Sequence, residues 1–171
     1  MDQPRVYVDL NEMVTEDIVL LSKNDTKTDS DGNIVTFYEE MPVHLYSDDA
    51  STTGETDYLL VEGIAVKYDL KEYPNWVHVK WCARIDWNSL MHESDLKFLH
   101  LLPEEIKKHP DNLRILRQCL IDFKNRGMDQ EAMLNNLEKL RTGSDCETEE
   151  VLLDLMDIVL GWCNPDLSIF D

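Results

Sequence analysis

From Ile18 to about residue 98, apolar side chains recur at every second position between clusters of turn-forming residues, the pattern of short β-strands with one buried face. Trp76 to Trp87 carries it most clearly. Val77, Val79, Trp81, Ala83, Ile85 and Trp87 fall on one side of an extended chain and His78, Lys80, Cys82, Arg84 and Asp86 on the other, because successive Cβ atoms alternate across a strand. This places Trp81 and Trp87 in the core. Shorter strands are expected at Ile18–Leu21, Ile34–Tyr38, Met41–Leu45 and Ile64–Tyr68, with Gly63 marking a bulge. Asp29-Ser30-Asp31-Gly32-Asn33 predicts a hairpin turn, since Gly and Asn accept positive φ, and Ser47 to Asp57 reads as a long polar loop. Short twisted strands need closure or a cover to hide their edges, which a small SH3-like antiparallel barrel provides.

After Leu102 the period becomes helical. Pro103-Glu104-Glu105 suits a first helical turn, and Pro110-Asp111 restarts the chain. Leu113, Leu116, Leu120 and Phe123 then share a face that Gly127 ends. Met133, Leu137 and Leu140 follow, stopped by Thr142-Gly143, and Leu152, Leu155, Val159 and Trp162 line a last helix closed by Asn164-Pro165. The chain is therefore expected to be an α+β protein in two parts, a β-rich SH3-like barrel or sheet over residues 1–102 and a three-helix bundle over residues 103–171.

Charge changes the picture. The 171 residues carry 35 Asp or Glu against 16 Lys or Arg, a formal net charge of −19 spread through both parts of the chain. Such a field repels phosphate backbones and anionic membranes and speeds encounter with a positively charged protein. The 43% hydrophobic and 30% charged fractions are those of a folded globular chain. No basic start leads into an apolar leader, and no apolar run approaches the roughly 18 residues that cross a bilayer. Cys82, Cys119, Cys146 and Cys163 stand singly, which fits reduced thiols in a cytoplasm.

Candidate chemistry is sparse. Aligned on Gly32, the loop from Lys27 lacks the first-position acid and the twelfth-position Glu of a calcium loop, so a plain hairpin turn is the expectation. His44, His78, His92, His100 and His109 form no zinc pair with the cysteines; His78 and Cys82, the closest, would stand about 13 Å apart on a strand. Cys82 and His92 are the one nucleophile–base pairing that adjoining strand segments could bring together. A Gly-rich phosphate loop, a GxSxG elbow and a dinucleotide fingerprint are all absent, and no cofactor, no metal and no catalysis are expected.

The acids have better geometry. Glu147, Glu150, Asp154 and Asp157, spaced three, four and three apart, form one helix face, with Arg114, Arg117 and Lys124 as a possible compensating stripe on another helix. Trp76, beside Tyr73 and Pro74 at a loop edge, offers an exposed ring, and Asp48-Asp49 a second acidic patch.

The stretches His78-Val79-Lys80-Trp81-Cys82-Ala83-Arg84-Ile85-Asp86 and His92-Glu93-Ser94-Asp95-Leu96, with Val19 to Asn33 before them, resemble a segment of small uncharacterised bacterial proteins over roughly the first 100 residues. The resemblance implies a bacterial cytoplasmic origin and carries no function. The expectation is an acidic cytoplasmic binding protein, most concretely an immunity or inhibitor protein that neutralises a basic toxin or nuclease, without direct contact to nucleic acid or membrane. Its expected contacts are Glu147, Glu150, Asp154, Asp157, Asp48, Asp49 and Trp76. The alternatives are an adaptor module that lays a peptide in the barrel, or an enzyme of unrecognised type.

Overall fold

In the N-terminal half, apolar alternation and turn chemistry produce seven strands, which the computed structural model, describing residues 3–170, divides between a curled five-stranded sheet and a two-stranded hairpin. Four helices complete an α+β protein. Two units can be distinguished, one of residues up to Asp49 and from Tyr58 to Glu93, the other of Ala50–Asp57 and Ser94 onward.

The sheet unit contains β1 (Val6–Tyr7), β2 (Ile18–Ser22), β3 (Thr26–Thr28), β4 (Ile34–Thr36), β5 (Met41–Ser47), β6 (Leu59–Val66) and β7 (Trp81–His92). The sheet order is β1-β5-β6-β7-β2, antiparallel except for β1 beside β5. Val43 and Leu45, Val61 and Ala65, Trp81, Ala83 and Ile85, and Val19 and Leu21 all point to one face, where Val6, Val8 and Phe37 complete a core. The β3–β4 hairpin supplies Phe37 and is joined by the expected turn: the Asp29 carboxylate accepts the backbone N–H groups of Asp31 (3.0 Å) and Asn33 (2.8 Å).

The other face is only partly wet. Ile18, Val66, Leu70 and Cys82 make a second core, and Tyr73, Trp76 and Val79 pack against it. The expected strand from Trp76 to Trp87 is corrected here. Residues 70–79 form successive turns, in which the N–H of Tyr73, Trp76 and Val79 donates to the carbonyl three residues earlier, and β7 begins at Trp81. Every third side chain of this run, Leu70, Tyr73, Trp76 and Val79, thus faces the sheet. Trp81 is buried as expected; Trp87 is not, being 44% exposed.

Trp87 leaves the core because β7 bulges. Glu62 pairs with Asp86 and Leu60 with Met91, so residues 87–90 lie opposite Val61 alone. The bulge is held by Asp86 Oδ1, which accepts the Asn88 N–H at 3.0 Å, and by Ser89 Oγ, which accepts the Glu62 N–H at 2.8 Å. The irregularity expected at Gly63 therefore lies beside it. Gly63 itself is required by close approach: a Cβ there would stand 2.6 Å from the Arg84 carbonyl oxygen.

The helical unit contains α1 (Glu93–Lys108, its first residue counted with the sheet unit), α2 (Leu113–Asn125), α3 (Gln130–Arg141) and α4 (Cys146–Leu160). The three-helix expectation is corrected to four. Helix α1 starts ten residues before Pro103, which lies inside it instead of opening it. The spacing of Phe98, Leu102 and Ile106 explains this, because all three are buried against Leu116, Leu120, Met133, Leu137, Leu152 and Leu155, and their burial outweighs one lost backbone hydrogen bond. Asn112, Asp129 and Asp145 accept backbone N–H groups from the first turns of α2, α3 and α4. The inserted loop belongs to this unit: Thr52 Oγ1 donates to the Gly127 carbonyl at 2.9 Å. Gly127 ends α2 at φ +100, and a Cβ on it would lie 2.7 Å from Ser51.

Candidate functional site

Two surfaces collect the residues singled out by sequence, one in each unit. The first is the outer face of α4. Its inner face buries Leu152, Leu155, Ile158 and Val159, so the acids at the intervening positions point to solvent. Glu147, Glu150, Asp154 and Asp157 are all exposed on α4, and among the described residues none of them forms an ion pair. Leu153 lies within this face and is exposed.

The basic stripe on α2 does not compensate them. Arg117 Nε donates to the Leu167 carbonyl at 2.6 Å and its Nη2 to those of Asp166 and Ser168, while Lys124 Nζ donates to the Ile169 carbonyl and lies 4.9 Å from the Phe170 ring centre. These cations fasten the C-terminal segment to α2. Arg141, at the end of α3, binds Glu138 and reaches Glu149, an acid outside the ladder.

Electrostatics within α4 are also unfavourable at its end. Glu147 lies in the first turn, where the positive end of the helix dipole accommodates it, but the last turn holds no basic residue and Asp157 lies close to the negative end. Each like-charged pair three or four residues apart opposes the helix by a few tenths of a kcal/mol. Past the Gly161 cap, Trp162 is 76% exposed, which corrects its expected place on the buried face of the helix. Indole rings so exposed at a helix end are suited to anchoring a partner.

The second surface is a groove of about 640 Å³ in the sheet unit, lined by Tyr7, Asp9, Glu12, Lys27, Trp76 and His78 among others. Trp76 is half-buried, stacked on Tyr73 at 5.7 Å, so the freely exposed ring expected at this loop edge is in fact a wall; the exposed neighbour is Val77. Lys27, which sequence reading treated only as a turn residue, has the most constrained charge in the groove. Its ammonium donates to the Tyr7 carbonyl at 2.6 Å and the Leu21 carbonyl at 2.9 Å, and burial holds it below the usual lysine range. Only its distance in space from Tyr7, twenty residues away in the chain, creates this role.

The remaining candidates do not converge. Asp48 is exposed and accepts from the Tyr7 hydroxyl at 3.2 Å, and Asp49 is exposed beside it. Cys82 and His92 lie near opposite ends of β7, paired with Val66 and Leu59 of β6, which are about 23 Å apart at roughly 3.3 Å per residue, so the nucleophile–base pairing is corrected. Burial pushes the Cys82 thiol up to about 11, the opposite of an activated nucleophile. Among the described residues no helix is long and apolar enough to cross a membrane. No protein-family model matches the chain, and no curated protein or solved structure is found similar to it.

Proposed function

We propose that this protein is a non-catalytic binder that docks a basic macromolecular partner on the outer face of α4, most concretely an immunity or inhibitor protein that covers the active site of a basic toxin or nuclease. The observation that carries the reading is the ladder Glu147, Glu150, Asp154, Asp157, exposed, without counter-ions among the described residues and followed by the exposed Trp162. A face that disfavours its own helix is retained most readily where a partner supplies the missing positive charge. The net charge of −19 supports fast association, and Leu153 with Trp162 supplies apolar contact for affinity. In this reading the curled sheet, a half-barrel of SH3-like type, is a scaffold, and the chain acts inside a cytoplasm. A peptide-reading adaptor is less well supported, because Trp76 is stacked on Tyr73 and packed on the sheet.

The test compares the wild type with a Glu150→Lys/Asp154→Lys/Asp157→Lys variant. Each is used to retain proteins from a lysate of the source organism, and any retained protein is then purified and titrated calorimetrically. The expected result is a basic partner whose affinity falls with salt and is lost with the variant. Equal binding by both forms, or no basic partner at low salt, overturns the proposal.

A further inference from the structure

The sheet order leaves β1 and β2 as edges, with no ladder joining them, and Lys27 spans the gap. Its ammonium donates to Tyr7 of β1 and Leu21 of β2, so one side chain from β3 ties together the two margins of an open sheet. A tetrahedral ammonium has three N–H bonds. Two are fixed by these carbonyls; the third makes no hydrogen bond among the described residues, and the ammonium lies 5.7 Å from the Tyr7 ring centre.

Lys27 is thus a partly buried cation without a carboxylate at ion-pair distance among the described residues, in a chain with more than twice as many acids as bases. Partial burial of an ammonium is unfavourable unless charge or hydrogen bonds replace the lost water. Two carbonyl dipoles, the Tyr7 ring and the more distant Glu12 charge meet part of that need, yet burial still prevails. The groove beside the ammonium has the volume of a small-molecule site, with Trp76 and Tyr7 as aromatic walls and the exposed Lys23 and His78 also among its lining residues.

We propose that this groove binds a small organic monoanion, a carboxylate carried on an apolar or aromatic body, with the carboxylate accepting the third N–H of Lys27 and the body lying against Trp76. Asp9 and Glu12 line the same groove and set the charge limit: they oppose a dianion such as a phosphate monoester more strongly than a single negative charge beside Lys27 and Lys23. The ligand completes the closure that Lys27 begins, because it neutralises the cation that bridges the two edges. This site lies in the sheet unit and is independent of the α4 face.

Phenylacetate is the probe, with phenylacetamide as its neutral isostere and hexanoate as a non-aromatic anion, each titrated to millimolar concentration while backbone and indole N–H signals are followed by NMR. Phenylacetate is expected to give saturable shifts confined to residues 7–9, 20–27 and 75–79, including the Trp76 indole, with phenylacetamide weaker by about tenfold or more. Lys27→Gln is expected to abolish the shifts, whereas Lys23→Gln changes the affinity by no more than a few-fold. Should Lys27→Gln not fold, amine labelling of the wild type with trinitrobenzenesulfonate replaces it: phenylacetate is expected to slow labelling of Lys27 several-fold and to leave the lysines outside the groove unchanged. Equal binding of amide and acid, no saturable shift with either anion, or labelling of Lys27 unaffected by phenylacetate overturns the proposal.

Discussion

The Asp57 carboxylate caps α1 from outside the helix, accepting the backbone N–H of Ser94 at 2.9 Å and its hydroxyl at 2.7 Å. The cap comes from 37 residues earlier in the chain, on the loop that joins β5 to β6 but belongs to the helical unit. Removing a capping carboxylate typically costs about 1 kcal/mol. Asp57→Ala is therefore expected to lower the unfolding free energy by that amount, seen as a lower urea midpoint with an unchanged slope, and Asp57→Asn to recover part of the loss. An Asp57→Ala variant as stable as the wild type would show that α1 is capped by other means.

The same loop sets a second expectation. Gly127 combines φ +100 with a side-chain approach that leaves a Cβ 2.7 Å from Ser51. Gly127→Ala meets both obstacles and is expected to cost on the order of 2 kcal/mol. In Ser51→Gly the larger part of the steric conflict is relieved, while the 3.2 Å approach to the Thr52 backbone nitrogen and the backbone strain remain. The double variant should thus lose less than the two single losses together, and strict additivity in a denaturation cycle would contradict the packing.

What could be read from sequence follows from how local the cause is. Trp81, the buried stripe of α4 and the Asp29 turn depend on neighbours in the chain, and alternation or helical period locates them. Trp87 was misplaced because a bulge of four residues resets the alternation after Asp86, and nothing in the side-chain pattern announces it. Residues 70–79 carried a usable signal, since Leu70, Tyr73, Trp76 and Val79 repeat every third position, but the period-two pattern overlapping it is equally regular. Of the candidate sites, the α4 ladder was legible as a helix face. The Lys27 bridge was not, because it joins β1 and β2 through a third strand.

Burial separates the thiols. Cys82 is buried and held up to about 11 by loss of water, while Cys146 is exposed. At pH 8 an aromatic disulfide reagent is expected to modify Cys146 within the mixing time of a fast assay and Cys82 only after unfolding. The folded thiol keeps its proton to higher pH than the unfolded one, so its contribution to stability is intact below about pH 9 and declines as pH rises toward 11. The loss attributable to Cys82 is on the order of 2 kcal/mol, and Cys82→Ala should flatten this part of the pH profile. A profile unchanged by the substitution would refute the assignment.

Arg117 holds the C-terminal segment through three carbonyls, those of Asp166, Leu167 and Ser168. Hydrogen bonds from a charged donor contribute about 1.5–3 kcal/mol each when buried and less where water competes, as at this partly exposed position. Arg117→Met keeps the aliphatic stem and removes the donors. It is expected to raise amide exchange in residues 166–169 strongly while leaving α3 and α4 protected. Uniform loss of protection across the helical unit would show instead that the segment is integral to the core around Ile169.

The α4 ladder makes an expectation opposite in sign to most surface substitutions. Asp154 lies four residues after Glu150 and three before Asp157, so a lysine there replaces two repulsions by two attractions and adds a cation nearer the negative end of the helix. Asp154→Lys is expected to stabilise the protein by about 0.5–1 kcal/mol at low ionic strength, with the gain shrinking in salt. If the ladder serves a basic partner, the same substitution weakens binding, so stability and affinity move in opposite directions. A destabilised Asp154→Lys protein would mean that the ladder is already neutralised within the fold, and the physical reason for assigning it to a partner would be gone.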